Sequence, residues 1–245
     1  MNQTLKLTLS YDGTQFAGWQ RQKNHRTVQQ TVEEALGQIT GQKVTVLGAG
    51  RTDSGVHAKG QVAHAVVSAK LSPKIILKAL NAVLPSDLIV QSVRPVPHNF
   101  HARYDAVSKR YRYTIWNRPE RPLFERAYLH HVRYPLDVQA MRRAARLLQG
   151  RRDFKIFHSS GRHVSSTVRN LKKLSIKTEK GIIQIDAEAD GFLYHMVRRI
   201  TGLLIDVGKG TLAPSSIPAI LQRRRKATPP TAPAKGLCLM RVRYS

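Results

Sequence analysis

The 245 residues of the chain can form one large domain or two small ones, and either can bury a substantial core. The 41 Lys and Arg residues outnumber the 15 Asp and Glu residues, and the resulting net charge of +26 and pI near 11.0 indicate a polyanionic partner. The sequence has no basic amphipathic helix, no apolar anchor and no apolar run of about 18 residues, so we expect a soluble, cytoplasmic protein that binds no membrane.

Strand and helix patterns alternate in the first half of the chain. Apolar residues at every second position predict strands, and apolar stripes with three- and four-residue spacing predict helices. Thr27 is the predicted N-cap of the first helix, whereas Ser72 and Pro73 begin the second helix and Pro85 ends it. In chain order we predict a strand at 5–10, a helix at 28–39, strands at 44–47 and 61–67, a helix at 73–84 and a strand at 88–93.

The second half repeats this order of elements from about residue 106. Its first strand is unusually basic and is followed by a long loop rich in Pro and Arg. Asp137 is the predicted N-cap of the next helix, and Gly181 forms a turn between two strands. In chain order we predict a strand at 106–115, a helix at 138–148, strands at 168–178 and 182–189, helices at 193–207 and 216–223, and a strand at 237–244.

The order β-α-β-β-α-β, found twice, predicts the fold class and the domains. We expect an α+β protein of two ferredoxin-like (RRM-like) α/β sandwich domains, whose mainly antiparallel sheets form a basic RNA-binding cleft. The boundary is expected near Asp105. Residues 1–105 would form an N-terminal domain that carries the loop with Asp53, and residues 106–245 a C-terminal domain that carries the strand with Tyr111.

A glycine-rich loop after the second predicted strand carries one carboxylate. Residues 48–57 read GAGRTDSGVH, in which Gly48, Gly50 and Gly55 surround Asp53. Glycines allow positive φ angles and a close approach to a ligand, and loops after strands often present functional side chains. Two interpretations stay open at this point: Asp53 is a catalytic carboxylate, or it only makes an Asx turn. The loop matches neither a Walker A motif nor a dinucleotide fingerprint.

Arg51 and His57 flank this aspartate. Arg51 could keep the carboxylate ionised and oriented, could grip a phosphate, or could be a solvated surface residue. His57 stands four residues after Asp53 and invites a triad or a metal site. The ten histidines, however, are scattered without acidic or thiol partners at ligand spacing. We therefore expect a structural or RNA-contacting role for His57, and no metal.

The strand that follows residue 106 mixes basic and aromatic residues, since positions 109–113 read KRYRY. On nucleic-acid surfaces cations meet phosphates and rings stack on bases. A period of two places Tyr111 and Tyr113 on one face of the strand, and Arg110 and Arg112 on the other. One tyrosine of such a pair is more often a core residue than a site residue.

Two further basic groups lie towards the C-terminus. The apolar residues of the helix at 193–207 are expected to form core, which leaves Arg198 and Arg199 free to face RNA. The run RRRK at 223–226 is most simply a solvated basic patch that adds to phosphate attraction.

These segments together resemble the tRNA pseudouridine synthase A family over essentially the whole chain. The resemblance departs from the usual family pattern at Arg152, where family members usually have a His. The matching segments, in chain order, are 11–13 (YDG), 49–58 (AGRTDSGVHA), 60–64 (GQVAH), 100–103 (FHAR), 109–111 (KRY), 153–154 (DF), 168–169 (VR), 190–199 (DGFLYHMVRR) and 232–237 (APAKGL).

The resemblance implies that Asp53 is a nucleophile and that Tyr111 lies against a target uracil. It implies a homodimer of two-domain subunits, without a nucleotide cofactor or other cofactor, that converts uridines 38, 39 and 40 of the tRNA anticodon stem-loop to pseudouridine. In that setting Arg51 would orient Asp53 and fill the space left by the flipped base, and the Tyr111 hydroxyl could help to move the C5 proton. The expected RNA contacts are Lys109, Arg110, Arg198, Arg199 and His57.

Two other classes of protein compete with this interpretation. A non-catalytic RNA-binding module would also be basic and would need no active site. A metal-dependent nuclease would need clustered carboxylates, and the 15 acidic residues are scattered. The sequence does not distinguish attack of Asp53 on the sugar from attack on the base.

Overall fold

A computed structural model describes residues 2–68, 71–159, 164–224 and 228–245. The chain divides into two compact units. Unit 1 comprises Met1–Val107 and Leu239–Ser245, and unit 2 comprises Ser108–Cys238.

Strands and helices follow one another along both units. Within the described residues they are, in chain order, β1 (Gln3–Tyr11), α1 (Val28–Thr40), β2 (Val46–Gly48), β3 (His57–Val67), α2 (Pro73–Val83), β4 (Leu88–Val96), β5 (Ala106–Trp116), β6 (His130–His131), α3 (Val138–Leu148), β7 (Gly150–Asp153), β8 (Val168–Glu179), β9 (Ile182–Ala189), α4 (Met196–Gly208), α5 (Ile217–Leu221) and β10 (Leu237–Tyr244).

The sheet of unit 1 has the strand order β4–β1–β3, with antiparallel neighbours, and both β2 and β10 pair with β3. Alternate residues of β1 form its core, because Leu5, Leu7 and Leu9 are fully buried. Each buried leucine contributes about 1.5–3 kcal/mol through removal of apolar surface from water. The buried residues of the two helices complete this core; they include Val32, Leu36, Ile76 and Leu80.

Both helices of unit 1 begin at the residues that the sequence predicts. The Thr27 hydroxyl accepts a hydrogen bond from the backbone N–H of Gln30, and Ser72 caps α2 in the same way. Gly41 ends α1 in the left-handed conformation with φ of 68°. These caps satisfy backbone groups that the helix itself leaves unpaired.

The sheet of unit 2 has the antiparallel order β5–β9–β8–β7, and β6 pairs in parallel with β5. Asp137 caps α3 through the N–H of Ala140, as predicted. Helices α3 and α4 pack closely: a Cβ added to Gly208 would lie 2.9 Å from the Met141 sulfur. The small residue permits this approach.

The order of elements agrees with the prediction in the first half, whereas the second half has two short strands that were not predicted, β6 and β7, and several bounds differ. The helix predicted from residue 193 begins at Met196, because His195 adopts a left-handed φ of 63° that interrupts the first turn. Strand β3 begins at His57 instead of residue 61. The last seven residues, expected in the second domain, belong to unit 1 because β10 pairs with β3.

Candidate active site

The loop that carries Asp53 is held by its own backbone. It leaves β2 after Gly48 and enters β3 at His57. The N–H of Val56 donates to the carbonyl of Asp53 at 3.1 Å, and Gly55 inside this turn has φ of 75°. A non-glycine residue would be strained at that φ, so the turn after Asp53 depends on glycine.

A second segment, residues 13–19, packs directly against the same loop. A Cβ on Gly13 would lie 2.1 Å from the carbonyl oxygen of Val56, and one on Gly18 would lie 2.6 Å from that of Thr52. The N–H of Trp19 also donates to Thr52 O at 3.0 Å. The two backbones are therefore in direct contact, and a side chain at Gly13 or Gly18 would prevent this close approach.

A buried chain of polar groups lies beneath the loop. The hydroxyls of Thr52 and Tyr11 are 2.8 Å apart, and the amide nitrogen of Gln61 lies 3.5 Å from the Tyr11 oxygen. The same Gln61 amide donates to the carbonyl of Gly50 at 2.9 Å. All three side chains are at most 5% exposed, so their hydrogen bonds are shielded from water. This network fixes the loop on both sides of Arg51.

Exposure alternates along the loop. Arg51 is exposed, Thr52 is buried in the network, and Asp53 is partly exposed. The buried Thr52 side chain therefore separates an exposed Arg51 from a partly exposed Asp53. Asp53 is thus presented at the surface of unit 1 on a rigid backbone.

His57, predicted as an RNA contact, is buried at the end of this loop with 5% exposure. Its Nδ1 atom accepts the N–H of Gly13 at 3.0 Å and lies 3.1 Å from a carboxylate oxygen of Asp12. The same Asp12 oxygen accepts the N–H of Thr14 at 2.9 Å, so His57 is tied to the segment that packs against the Asp53 loop. The structural alternative is favoured by this burial, and the RNA contact stays a prediction.

No cluster of three or more His, Cys, Asp or Glu side chains able to hold a metal ion occurs among the residues that the structure describes.

Tyr111 lies on β5 in unit 2 and is 7% exposed. Its ring meets that of Phe192 edge to face, with ring centroids 5.2 Å apart. Tyr113, on the same face of the strand, is fully buried and donates its hydroxyl to the carbonyl of Pro233 at 2.8 Å. Both tyrosines of the pair are therefore buried, Tyr113 fully and Tyr111 with a small exposed fraction, and the site role of Tyr111 stays a prediction.

The opposite face of β5 carries an ion cluster that sequence analysis missed. Arg110 and Arg112 both donate to the carboxylate of Asp186 on β9, at 3.0 Å. Burial alone would raise the pKa of Asp186, but the hydrogen bonds from the two guanidinium groups outweigh it and lower that pKa. Strand β9 carries two acids, Asp186 and Glu188, in a basic chain, and their spacing was the signal that sequence analysis could have used.

Arg198 and Arg199, predicted to be free to face RNA, each donate to carbonyl groups of their own chain. The Arg198 Nε donates to the carbonyl of Ala232 at 2.8 Å, and Arg199 donates to the carbonyls of Ile156 and His158 at 3.3 and 3.2 Å. The carbonyl of Ile156 belongs to the short 3-10 helix Lys155–Phe157, and the RNA contacts of both arginines stay predictions.

Other basic residues named from the sequence keep their predicted roles untested. Lys109 on β5 is partly buried, and Arg223 is exposed and lies 3.6 Å from the carboxylate of Asp153. Arg224 of the same RRRK run is also exposed, and Arg225 and Lys226 lie outside the described residues.

Comparisons with known proteins identify the family. The paired α+β units and the glycine-framed aspartate define a mixed α+β protein with a candidate active-site loop. A sequence model described as tRNA pseudouridine synthase matches residues 8–105 and 144–245, which include that loop. The chain belongs to this family, and it is an isomerase.

Similar curated proteins match the chain over nearly their full length, and they are named tRNA pseudouridine synthase A. The chain is 47% identical to tRNA pseudouridine synthase A of Moorella thermoacetica, and the match covers 98% of this chain and 99% of that protein. It is 44% identical to tRNA pseudouridine synthase A of Acetivibrio thermocellus, again over 98% of this chain and 99% of the relative.

None of the described helices is long and apolar enough to cross a membrane.

Proposed function

We propose that the protein converts uridine to pseudouridine at positions 38, 39 and 40 of the tRNA anticodon stem-loop, with Asp53 as the nucleophile. The observation that carries this proposal is the rigid frame of the Asp53 loop. Gly13 and Gly18 allow backbone contacts at that loop that no other residue would permit, and the buried Thr52 hydroxyl anchors it from below. A surface Asx turn would need neither feature.

The isomerisation of uridine has few chemical requirements besides a nucleophile. The bond between N1 of uracil and C1′ of the ribose breaks, the base rotates, and a new bond forms between C5 and C1′. The C5 proton leaves and N1 gains one, so the reaction involves no net redox change. An aspartate that is ionised at neutral pH can serve as the nucleophile, at either the sugar or the base. The reaction in itself calls for no metal or nucleotide cofactor.

Arg51 and Tyr111 complete the proposed machinery. Arg51 is exposed beside the anchored Thr52, where it can orient Asp53 and occupy the space of a flipped base. Tyr111 would lie against the target uracil, and its hydroxyl would help to move the C5 proton. A Tyr111→Phe enzyme with unimpaired turnover would exclude that proton-transfer role.

The architecture proposed with this function has two ferredoxin-like domains in each subunit of a cytoplasmic homodimer. The strand order of unit 1, read as β4–β1–β3–β2, supports the ferredoxin-like assignment, as does the order β5–β9–β8 in unit 2. Lys109, Arg110, Arg198 and Arg199 remain the proposed RNA contacts, with the last three partly engaged by their own chain. Light scattering of the purified protein measures the subunit number directly.

Substrate position is tested with three tRNA transcripts, each tritiated at uracil C5 and each with a single anticodon-arm uridine, at position 38, 39 or 40. We expect release of tritium from all three. A fourth transcript without uridine at these positions should release none. Equal release from the fourth transcript would contradict the proposed position.

A further inference from the structure

The loop after β4, residues 97–105, is folded into a hydrogen-bonded turn that displays one aromatic ring. The N–H of Asp105 donates to the carbonyl of His101 at 3.0 Å, and the N–H of His101 donates to the Asp105 carboxylate at 2.8 Å. The His101 Nδ1 accepts the N–H groups of Arg103 and Tyr104 at 3.1 and 3.3 Å. Because Nδ1 accepts hydrogen bonds, the ring proton is on Nε2, and the ring orientation is fixed.

Tyr104 is held against this fixed ring and is nevertheless 74% exposed. Its ring centroid is 4.3 Å from that of His101, with an interplanar angle of 34°. His101 in turn lies 4.8 Å from His64, whose Nδ1 accepts the N–H of Ala102 at 3.1 Å. Burial lowers the pKa of His64, which suits its role as a neutral acceptor. The His64 and His101 rings meet edge to face, and the exposed Tyr104 ring is the outermost of these three contacting rings.

One cation lies beside the exposed ring, and two more lie on the sheet face that carries His64. The Arg103 guanidinium lies 5.7 Å from the centroid of Tyr104. On the neighbouring sheet, Lys6 of β1 stands directly between His64 of β3 and Arg94 of β4, so these three side chains point to one face. Arg94 and Arg103 are both exposed.

We propose an RNA contact in addition to the Asp53 loop. It consists of Tyr104, Arg103 and Arg94, which together we call the Tyr104 surface. An unpaired base of the bound tRNA stacks on Tyr104, and the flanking phosphates meet the two arginines. The inference rests on the proposed function only in taking tRNA as the ligand. A preorganised ring with adjacent cations is what single-stranded RNA recognises. In an isologous contact with a second copy, the two arginines of this surface would face the same two arginines, so their charges favour a polyanion over another copy of the chain.

The test is the dissociation constant for tRNA, measured by filter binding in an Asp53→Asn background so that no turnover is needed. We expect Tyr104→Ala and Tyr104→Leu each to raise the Kd about tenfold, because stacking on the ring is lost. Tyr104→Phe keeps the ring and should keep the Kd within about twofold. Arg103→Gln should raise the Kd about threefold and reduce the salt dependence of binding by about one phosphate contact.

Ile75→Ala is the matched control, since Ile75 is 52% exposed on α2 of the same unit, and its Kd should not change. Wild-type affinity in both Tyr104→Ala and Tyr104→Leu would overturn the proposal. A changed subunit number with unchanged Kd would also overturn it, because the surface would then join copies of the chain. Tritium release by the wild type tests the proposed function separately, so failure of one proposal is distinguishable from failure of the other.

Discussion

Single residues around Asp53 act mainly by fixing the backbone. Thr52, Tyr11 and Gln61 are buried polar side chains whose hydrogen bonds end on the loop itself. A buried polar group that loses its partner costs about 1–3 kcal/mol, so each member depends on the others. The network is therefore expected to hold Asp53 in place without contacting the substrate.

Tyr11→Phe tests this positioning role, because it removes one hydroxyl and keeps the ring. We expect a loss of stability of about 1–2 kcal/mol, together with a kcat lowered about tenfold and an unchanged KM for tRNA. Steady-state tritium release and thermal unfolding measure both quantities.

The matched control is Tyr244→Phe, which removes a hydroxyl that donates to the carbonyl of Ala102 at 2.7 Å in the same unit. It should lose similar stability and keep its kcat. Equal kcat losses in the two variants would show that the Tyr11 effect is only global destabilisation.

Elements of regular structure were predictable from the sequence, and the contacts between loops were not. The caps at Thr27, Ser72 and Asp137 are local, since each side chain bonds a backbone group three residues ahead. The packing of residues 13–19 against the Asp53 loop joins segments about 40 residues apart. Nothing in a local pattern fixes such a contact, although the glycines at 13 and 18 were a visible sign.

The ion cluster on β5 likewise depends on a contact between distant segments that a local pattern does not predict. Period two correctly placed Arg110 and Arg112 on one face, but only the strand pairing brings Asp186 of β9 between them. For Asp53 itself, the sequence supplied the glycines and the family resemblance, and the structure supplied the anchored Thr52 beneath it.

Gly18→Ala tests the interlocked loops at the scale of elements. Gly18 has φ of 96° and its added Cβ would lie 2.6 Å from Thr52 O, so the Asp53 loop must shift. We expect kcat to fall at least tenfold, along with a lower melting temperature. Gly41→Ala is the control, because Gly41 also has positive φ, 68°, but its Cβ would meet open space. It should cost about 1–2 kcal/mol of stability and leave kcat unchanged. Equal kcat values for both variants would contradict the account.

The molecule as a whole carries a large positive charge, and burial and nearby cations lower the pKa of a partly buried histidine in unit 2. His130 in unit 2 has its pKa lowered to about 4, first by burial and then by repulsion from Lys235, Lys209 and His131. An unfolded histidine takes up its proton near pH 6.5. Because the pKa of His130 is lower in the folded state than in the unfolded state, protonation of this residue favours unfolding.

His130→Gln tests the consequence for stability. Because the folded pKa is depressed, wild-type stability from this residue is complete above pH 6.5 and falls as the pH drops towards 4. The loss should be about 1–2 kcal/mol, discounted because the ring is partly exposed. Urea unfolding at pH 7 and pH 4.5 should show a smaller loss of stability in the variant than in the wild type. The same pH dependence in both proteins would exclude His130 as its source.

The central claim is that Asp53 performs the isomerisation, and the most direct measurement is tritium release from tRNA labelled at uracil C5, with tRNA affinity measured in parallel. Asp53→Asn keeps the shape of the side chain and removes its charge. Asp87→Asn is the control, since that carboxylate pairs with Arg26 at 2.7 Å in the same unit. We predict that Asp53→Asn binds tRNA and releases no tritium, whereas Asp87→Asn releases it at the wild-type rate. Tritium release by Asp53→Asn at the wild-type rate would contradict the account.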